Sequence, residues 1–258
     1  MRPELTVIKI GGNVLENPQF YAEFLDGLSS ISKPFIIVHG GGKIATEISQ
    51  NLGIQTQMIA GRRVTSSEDL KVVIMTYAGL INKKLVADLQ SKNCSAIGLS
   101  GADANLITST IRSKTPIDFG LVGDVEKVNG EFLQLLLKNG MTPIICSLTH
   151  DGKGQLLNTN ADTIASEISI EMGQFYTVNL HYCFEKNGVL KDAEIENSLI
   201  SHVTSKDYHR LIEQNKIHSG MIPKLENSFH ALKNGVSTIT IRSYSNLNGL
   251  NKYTTISL

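Results

Sequence analysis

Phe35-Ile-Ile-Val-His39-Gly-Gly-Gly-Lys43-Ile-Ala45 begins as an unbroken apolar run, turns on three glycines, and continues with apolar residues at Ile44, Ala45 and Ile48. A short continuous apolar run marks a buried strand, and the later spacing marks a helix. Strand, glycine loop and helix in direct succession are the repeating unit of an α/β fold. The same unit offers an anion site, because glycine admits close backbone approach and a helix N-terminus presents unsatisfied N–H groups. The text is not a Walker A loop, which needs Ser or Thr after the lysine; Ile44 stands there. It is not Gly-x-Gly-x-x-Gly either. His39 reads as a structural, backbone-bonded residue rather than a base.

Upstream, Leu5-Thr-Val-Ile-Lys-Ile10 is a second buried strand, with Lys9 near its end and Gly11-Gly12 directly after it. Ligands of open α/β sheets bind beyond the carboxyl ends of strands, which puts Lys9 and both glycines in a favoured place. A helix carrying Phe20, Phe24, Leu25 and Leu28 follows. Downstream, Gln55 to Thr65 reads as a hairpin or lid. Arg62 and Arg63 point to opposite faces of its strand, so one of them can face a cleft. Thr65 and Glu68 fit a capping box for a helix running to about Gln90. Leu70, Val73, Ile74, Tyr77, Ala78, Ile81 and Leu85 form one apolar stripe of that helix; Val72, Met75, Gly79 and Val86 form another. Two apolar faces mean burial on both sides, in a deep core or at a subunit interface. Ser95 to Leu99 is a strand and Ile107 to Asp124 a hairpin. Phe132, Leu135 and Leu136 mark a helix, and Pro143 to Ser147 another strand.

Gln155-Leu-Leu-Asn158-Thr-Asn160-Ala-Asp162 then opens a helix that ends at Gly173. One cap needs one polar side chain, and three stand at this helix mouth. A second lobe begins after Gly173. Its reading is a strand from Phe175 to Leu180, a loop from Cys183 to Leu190, and a helix with Tyr208, Leu211 and Ile212 on one face. Pro223 fits the first position of another helix, with Leu225, Phe229 and Leu232 on its apolar face. Lys224 lies in that helix's first turn, where the dipole disfavours a cation unless an anion lies between. Ser237 to Arg242 is the last strand.

Bulk composition excludes several classes. The 258 residues are 41% hydrophobic and 19% charged, as in an ordinary globular protein. Lys+Arg and Asp+Glu balance at 24 each, so no global field favours nucleic acid. The three cysteines, Cys94, Cys146 and Cys183, lack metal-ligand spacing and suit a reducing compartment. No signal peptide and no membrane-length apolar run is visible, so the expected location is cytoplasmic.

The ordered set Lys9-Ile-Gly-Gly12, His39-Gly-Gly-Gly42, Gly61-Arg-Arg63-Val-Thr65, Asn82-Lys83, Val122-Gly-Asp-Val125, Leu157-Asn-Thr-Asn-Ala-Asp162 and Gly220-Met-Ile-Pro-Lys224 resembles the acetylglutamate kinases of the amino acid kinase superfamily. The match runs in order over essentially the whole chain. The resemblance implies an α/β three-layer αβα sandwich on a largely parallel central sheet. It implies an N-terminal lobe, 1–173, for acyl-amino-acid binding and dimerisation, and a C-terminal lobe, 174–258, for ATP. It also implies phosphorylation of the γ-carboxylate of N-acetyl-L-glutamate. Carried over, Lys9 and Lys224 stabilise the transferring phosphoryl group and Asp162 orients them. Gly41, Gly42, Arg63 and Asn158 take the acyl amino acid. Gly11, Gly12 and Gly42 face phosphates, and Ile217, His218 and Ser219 lie against the nucleotide.

Two departures stand out. The family's Thr/Ser-Asp-Val-x-Gly-Val loop is replaced by Leu180-His-Tyr-Cys-Phe-Glu-Lys-Asn-Gly-Val189, without the aspartate. The chain also begins at its first strand, without the extra helix of arginine-inhibited members, so the resemblance implies a homodimer insensitive to arginine.

These residues suit the chemistry. A carboxylate nucleophile, with a reference pKa of about 4.3, needs no general base. Transfer needs positioning and charge neutralisation, which two lysines supply. Mg²⁺ is expected on the ATP phosphates rather than in a protein cage. Arg63 suits a two-pronged grip on the substrate α-carboxylate, and Asn158 can both donate and accept, as an amide-bearing substrate requires. Two alternatives remain at this level: a sister kinase acting on N-succinyl-L-glutamate or another N-acyl amino acid, and a non-catalytic regulator on the same fold.

Overall fold

The computed structural model describes every residue except Met1, Ser30, Lys33, Ala60, Ala193, Glu194, Asn215, Lys216, His218 and Ser219. The chain forms two compact units, residues 1–35 with 165–258, and residues 36–164.

In chain order, β1 (Glu4–Ile10) is buried beyond Glu4 and leads into α1 (Gly12–Glu16) and α2 (Pro18–Leu28). Asn17 caps α2 by accepting from the Gln19 and Phe20 amides, with Pro18 in the first turn. β2 (Phe35–His39) is buried throughout, and α3 (Gly42–Asn51) starts on the glycine loop. The expected hairpin is β3 (Gln57–Ile59) with β4 (Arg62–Val64), paired antiparallel. The long helix is three segments: α4 (Ser67–Ile74), a π-helical stretch Met75–Ile81, and α5 (Asn82–Ser91). β5 (Ala96–Leu99), β6 (Ile107–Ile111) and β7 (Gly123–Val128) follow, then α6 (Gly130–Lys138) and β8 (Thr142–Cys146). β9 (Leu148–His150) and β10 (Leu156–Asn158) precede α7 (Ala161–Met172). The rest is β11 (Thr177–Phe184), β12 (His202–Thr204), α8 (Ser205–Glu213), α9 (Ile222–Lys233), β13 (Thr238–Ser243) and β14 (Thr254–Ser257).

In the first unit the strand order is β12-β14-β13-β11-β1, parallel at every step except β13 against β14. Leu5, Val7, Ile8, Leu180, Tyr182, Ile239 and Ile241 fill the core of this sheet. In the second unit β2 and β5 both pair parallel to β8. A four-stranded sheet ordered β10-β9-β6-β7 accompanies them. The class is therefore the expected α/β fold with largely parallel main strands. Among the described residues no helix is long and apolar enough to cross a membrane.

Several local expectations are corrected. The capping box of α4 is Ser66 with Asp69, one residue on from Thr65 and Glu68. Thr65 is drawn into a strand-like bridge instead, its amide bonded to the Phe119 carbonyl and its carbonyl to the Leu121 amide. Gly120 permits that bridge, because it has a φ of +67° and a Cβ there would lie 2.4 Å from the Thr65 carbonyl oxygen. The second apolar face of the long helix is split: Val72 is buried at 1% exposure, whereas Met75 is 54% exposed, as is its neighbour Leu80 at 56%. On α6 the helical period buries Leu133, Leu136 and Leu137, and Leu135 faces solvent. β11 runs to Phe184, so Cys183 belongs to a strand rather than a loop. Arg242 does not close the last strand, since β14 adds an antiparallel partner to β13.

Candidate active site

In the second unit the glycine loop is built from below by a buried side-chain chain. His39 is fully buried, with Nδ1 2.9 Å from the Gly40 carbonyl and Nε2 3.0 Å from Asn82 Nδ2. Asn82 also donates to the Ile144 carbonyl at 2.9 Å, and Lys83 Nζ donates to Asn82 Oδ1 and to the Gly98 carbonyl. An amide nitrogen can only donate, so Nε2 accepts and Nδ1–H donates to Gly40. Burial, assisted by Lys83 and opposed by the Gly40 bond, pushes the imidazole pKa down to about 4. His39 is thus a neutral strut, as its sequence context indicated. Above it, α3 begins at Gly42 with Gly41 as a cap residue that lends no side chain, leaving backbone N–H groups at the helix mouth.

Alternation along β4 places Arg62 outside and Arg63 inside, the latter 7% exposed. Arg63 reaches the glycine loop. Its Nη2 donates to the Gly42 carbonyl at 2.9 Å and to Thr46 Oγ1 at 2.7 Å. Its Nη1 donates to Thr56 Oγ1 at 2.9 Å and lies 3.4 Å from Asp69 Oδ1. The fork therefore already carries four protein acceptors. Sequence reading had not singled out Thr46, Thr56 or Asp69 for the site, because each looks like an ordinary helix or loop residue until the hairpin folds over them.

Asn158 sits on β10, three residues before the first residue of α7 rather than at its mouth, and donates to Thr65 Oγ1 at 3.0 Å. Asn160 is the cap, its Oδ1 accepting from the Asp162 amide at 2.7 Å and the Thr163 amide at 3.2 Å. Of the three polar residues, one caps, one joins the hairpin base, and Asp162 is left in the first turn of α7, 5% exposed. A buried carboxylate at a helix N-terminus is favoured by the dipole and suits a cationic neighbour.

In the first unit Lys9 is 8% exposed at the penultimate position of β1. The Gly11 amide donates to the Cys183 carbonyl at 3.0 Å, fixing the Gly11-Gly12 bend at the strand's carboxyl end. Lys224 lies in the first turn of α9, whose N-cap residue Met221 supplies no side-chain cap. Ile217 is half-buried; His218 and Ser219 lie outside the described residues. The altered loop after β11 is anchored at both ends: Glu185 accepts from Asn13 Nδ2 at 2.8 Å, and the Val189 amide donates to Thr254 Oγ1 at 2.8 Å. Burial pushes the Cys146 and Cys183 thiols up to about 12, so neither is a nucleophile. Among the described residues no three His, Cys, Asp or Glu side chains cluster as metal ligands.

The structure thus joins Arg63 to Gly42 and Asn158 to Thr65 within the second unit, with Gly41 and Asp162 on the same unit. Lys9, Gly11, Gly12, Ile217 and Lys224 belong to the first unit.

The sequence profile of the Amino acid kinase family matches residues 4–243. A relative from Cytophaga hutchinsonii named acetylglutamate kinase is 52% identical, over 92% of this chain and 90% of its own length. One of the same name from Phocaeicola vulgatus is 48% identical over 96% of each chain. A crystal structure of a protein from Streptococcus mutans UA159 is similar with a TM-score of 0.81 at 27% identity, covering 98% of each chain.

Proposed function

This chain belongs to the amino acid kinase family, and from that membership we propose the part each site residue takes. The enzyme is an ATP-dependent kinase that phosphorylates the γ-carboxylate of N-acetyl-L-glutamate to N-acetylglutamyl 5-phosphate, a step of arginine biosynthesis. The observation that carries this reading is the 52% identity, over 92% of the chain, to a relative named acetylglutamate kinase.

Lys9 and Lys224 stabilise the transferring phosphoryl group, and Asp162 orients their ammonium groups. The burial of Lys9 and Asp162 supports this, since charges so enclosed require opposite charge nearby. The uncapped first turn of α9 beside Lys224 supports a phosphate there. Gly41, Gly42, Arg63 and Asn158 take the acyl amino acid, and Gly11, Gly12, Gly42, Ile217, His218 and Ser219 take the nucleotide. Residues 1–173 serve the acyl amino acid and dimerisation; residues 174–258 serve ATP. Mg²⁺ rides on the ATP phosphates and offsets their charge, held by nucleotide oxygens rather than by a protein cage.

The enzyme acts in the cytoplasm as a homodimer. The exposed apolar face of the π-helical stretch, with Met75 at 54% and Leu80 at 56% exposure, supports dimerisation there. Replacing Lys9 or Lys224 by Ala is expected to lower kcat by roughly 10²–10³, with N-acetyl-L-glutamate still bound, by analogy with loss of one transition-state donor. Steady-state kinetics check this, and near-normal kcat in either variant would remove that lysine from the phosphoryl site.

A further inference from the structure

Tyr77 reads in the sequence as one member of an apolar stripe. The structure gives its hydroxyl a specific address. The residue is 5% exposed and lies in the π-helical stretch Met75–Ile81. A π-helix carries more residues per turn than an α-helix and so re-aims the side chains within it; such segments often accompany functional sites. Here Tyr77 and Ile81 both abut the glycine loop. A Cβ on Gly41 would fall 2.2 Å from Ile81 Cδ1 and 3.0 Å from Tyr77 Cδ1, so the absent side chain lets both residues close on the loop. The Tyr77 hydroxyl stands 3.8 Å from where a Cβ of Gly42 would be. The Arg63 guanidinium is also beside it, and its charge opposes the upward push that burial gives the phenol pKa.

The Arg63 terminal nitrogens already serve Thr56, Asp69, Thr46 and the Gly42 carbonyl. A guanidinium has donors and no acceptor, so the Tyr77 proton finds no acceptor on Arg63. A carboxylate arriving at Gly42 would therefore find positive charge from Arg63, whose terminal N–H groups already have acceptors, and a phenolic hydroxyl close to the same glycine. We propose that Tyr77 is a substrate-binding residue whose hydroxyl donates a hydrogen bond to the α-carboxylate of the acyl amino acid, alongside Arg63. This rests on the reading that Gly41, Gly42 and Arg63 form the acyl-amino-acid site.

Tyr77→Phe keeps the ring against Gly41 and removes only the donor. The expected result is a KM for N-acetyl-L-glutamate raised about tenfold, the size of one hydrogen bond to a charged group, with kcat and the KM for ATP changed less than about twofold. The loss should vanish with N-acetyl-4-aminobutyrate, which keeps the reacting carboxylate and lacks the α-carboxylate; a purely structural role would penalise both substrates alike. Ile81→Val keeps the hydroxyl and trims the packing, so it should lower Tm and leave the KM unchanged. An unchanged KM in Tyr77→Phe, an equal loss with both substrates, or the same KM rise in Ile81→Val would overturn the inference. Arg63→Lys separates the two levels. If it leaves the KM for N-acetyl-L-glutamate unchanged, the reading of the acyl-amino-acid site itself fails. If it raises the KM while Tyr77→Phe does not, only the role of Tyr77 fails.

Discussion

His39 shows how one buried side chain sets a limit on the conditions the protein tolerates. Both its ring nitrogens have partners and its pKa is depressed to about 4 from the ordinary 6.5. His181 is similar: burial first, then Arg242, pushes it to about 3, and its Nδ1 lies 2.8 Å from Thr240 Oγ1. A base with a depressed folded-state pKa contributes its full stability above the unfolded value. That contribution is lost as pH falls toward the folded value. For His39 the window is pH 6.5 to about 4, and the loss across it amounts to about 3 kcal/mol. Urea denaturation is therefore expected to show stability falling from pH 6.5 downward, with a shallower fall in His39→Gln than in the parent. Identical pH slopes in the two proteins would contradict the neutral-strut assignment. The histidine's structural role was legible from its place between a buried strand and a glycine loop. Its partner Asn82 was visible only as part of a motif, because residues 43 positions apart meet only in the folded sheet.

The elements that were legible are those with long, clean periodicity: β1, β2 and β8 as apolar runs, and α2, α7 and α9 as apolar stripes. Short strands were not. β10 has three residues and was merged into a helix mouth, and β14 is a Thr-rich tetrapeptide without an apolar run. It is fixed by tertiary bonds, with Thr254 donating to the Ile200 carbonyl and accepting from the Val189 amide. The α4 cap slipped by one residue for the same reason: Ser66 and Thr65 are both good caps, and the bridge to Gly120 decides between them. That choice has an energetic consequence, because Asp69 serves the capping box and also the buried Arg63. Ser66→Ala is expected to cost about 1 kcal/mol, the value of a cap. Asp69→Ala is expected to cost roughly 3–5 kcal/mol, because it leaves Arg63 buried without its carboxylate. Chemical denaturation measures both, and equal losses would show that the Arg63 pair adds nothing to the box.

At the scale of the molecule, candidate site residues are legible where chemistry needs an unusual residue type in an unusual place, and opaque where folding brings ordinary residues together. Lys9, Asp162 and Lys224 stood out because charges at strand ends and helix mouths need a reason. Thr46, Asp69 and Tyr77 did not, because their sequence neighbourhoods already explain them. The exposed face of the π-helical stretch belongs to the same scale. Leu80→Glu is expected to convert a dimer to a monomer, read by analytical ultracentrifugation, and an unchanged mass would place the subunit contact elsewhere. Carboxylate phosphorylation is tested most directly by incubating the purified protein with Mg-ATP, N-acetyl-L-glutamate and hydroxylamine. The expected result is ADP and the hydroxamate of the trapped acyl phosphate, formed in equal amounts and only when the acyl amino acid is present. No ADP, or ADP without hydroxamate, would contradict the assignment of this protein as a carboxylate kinase.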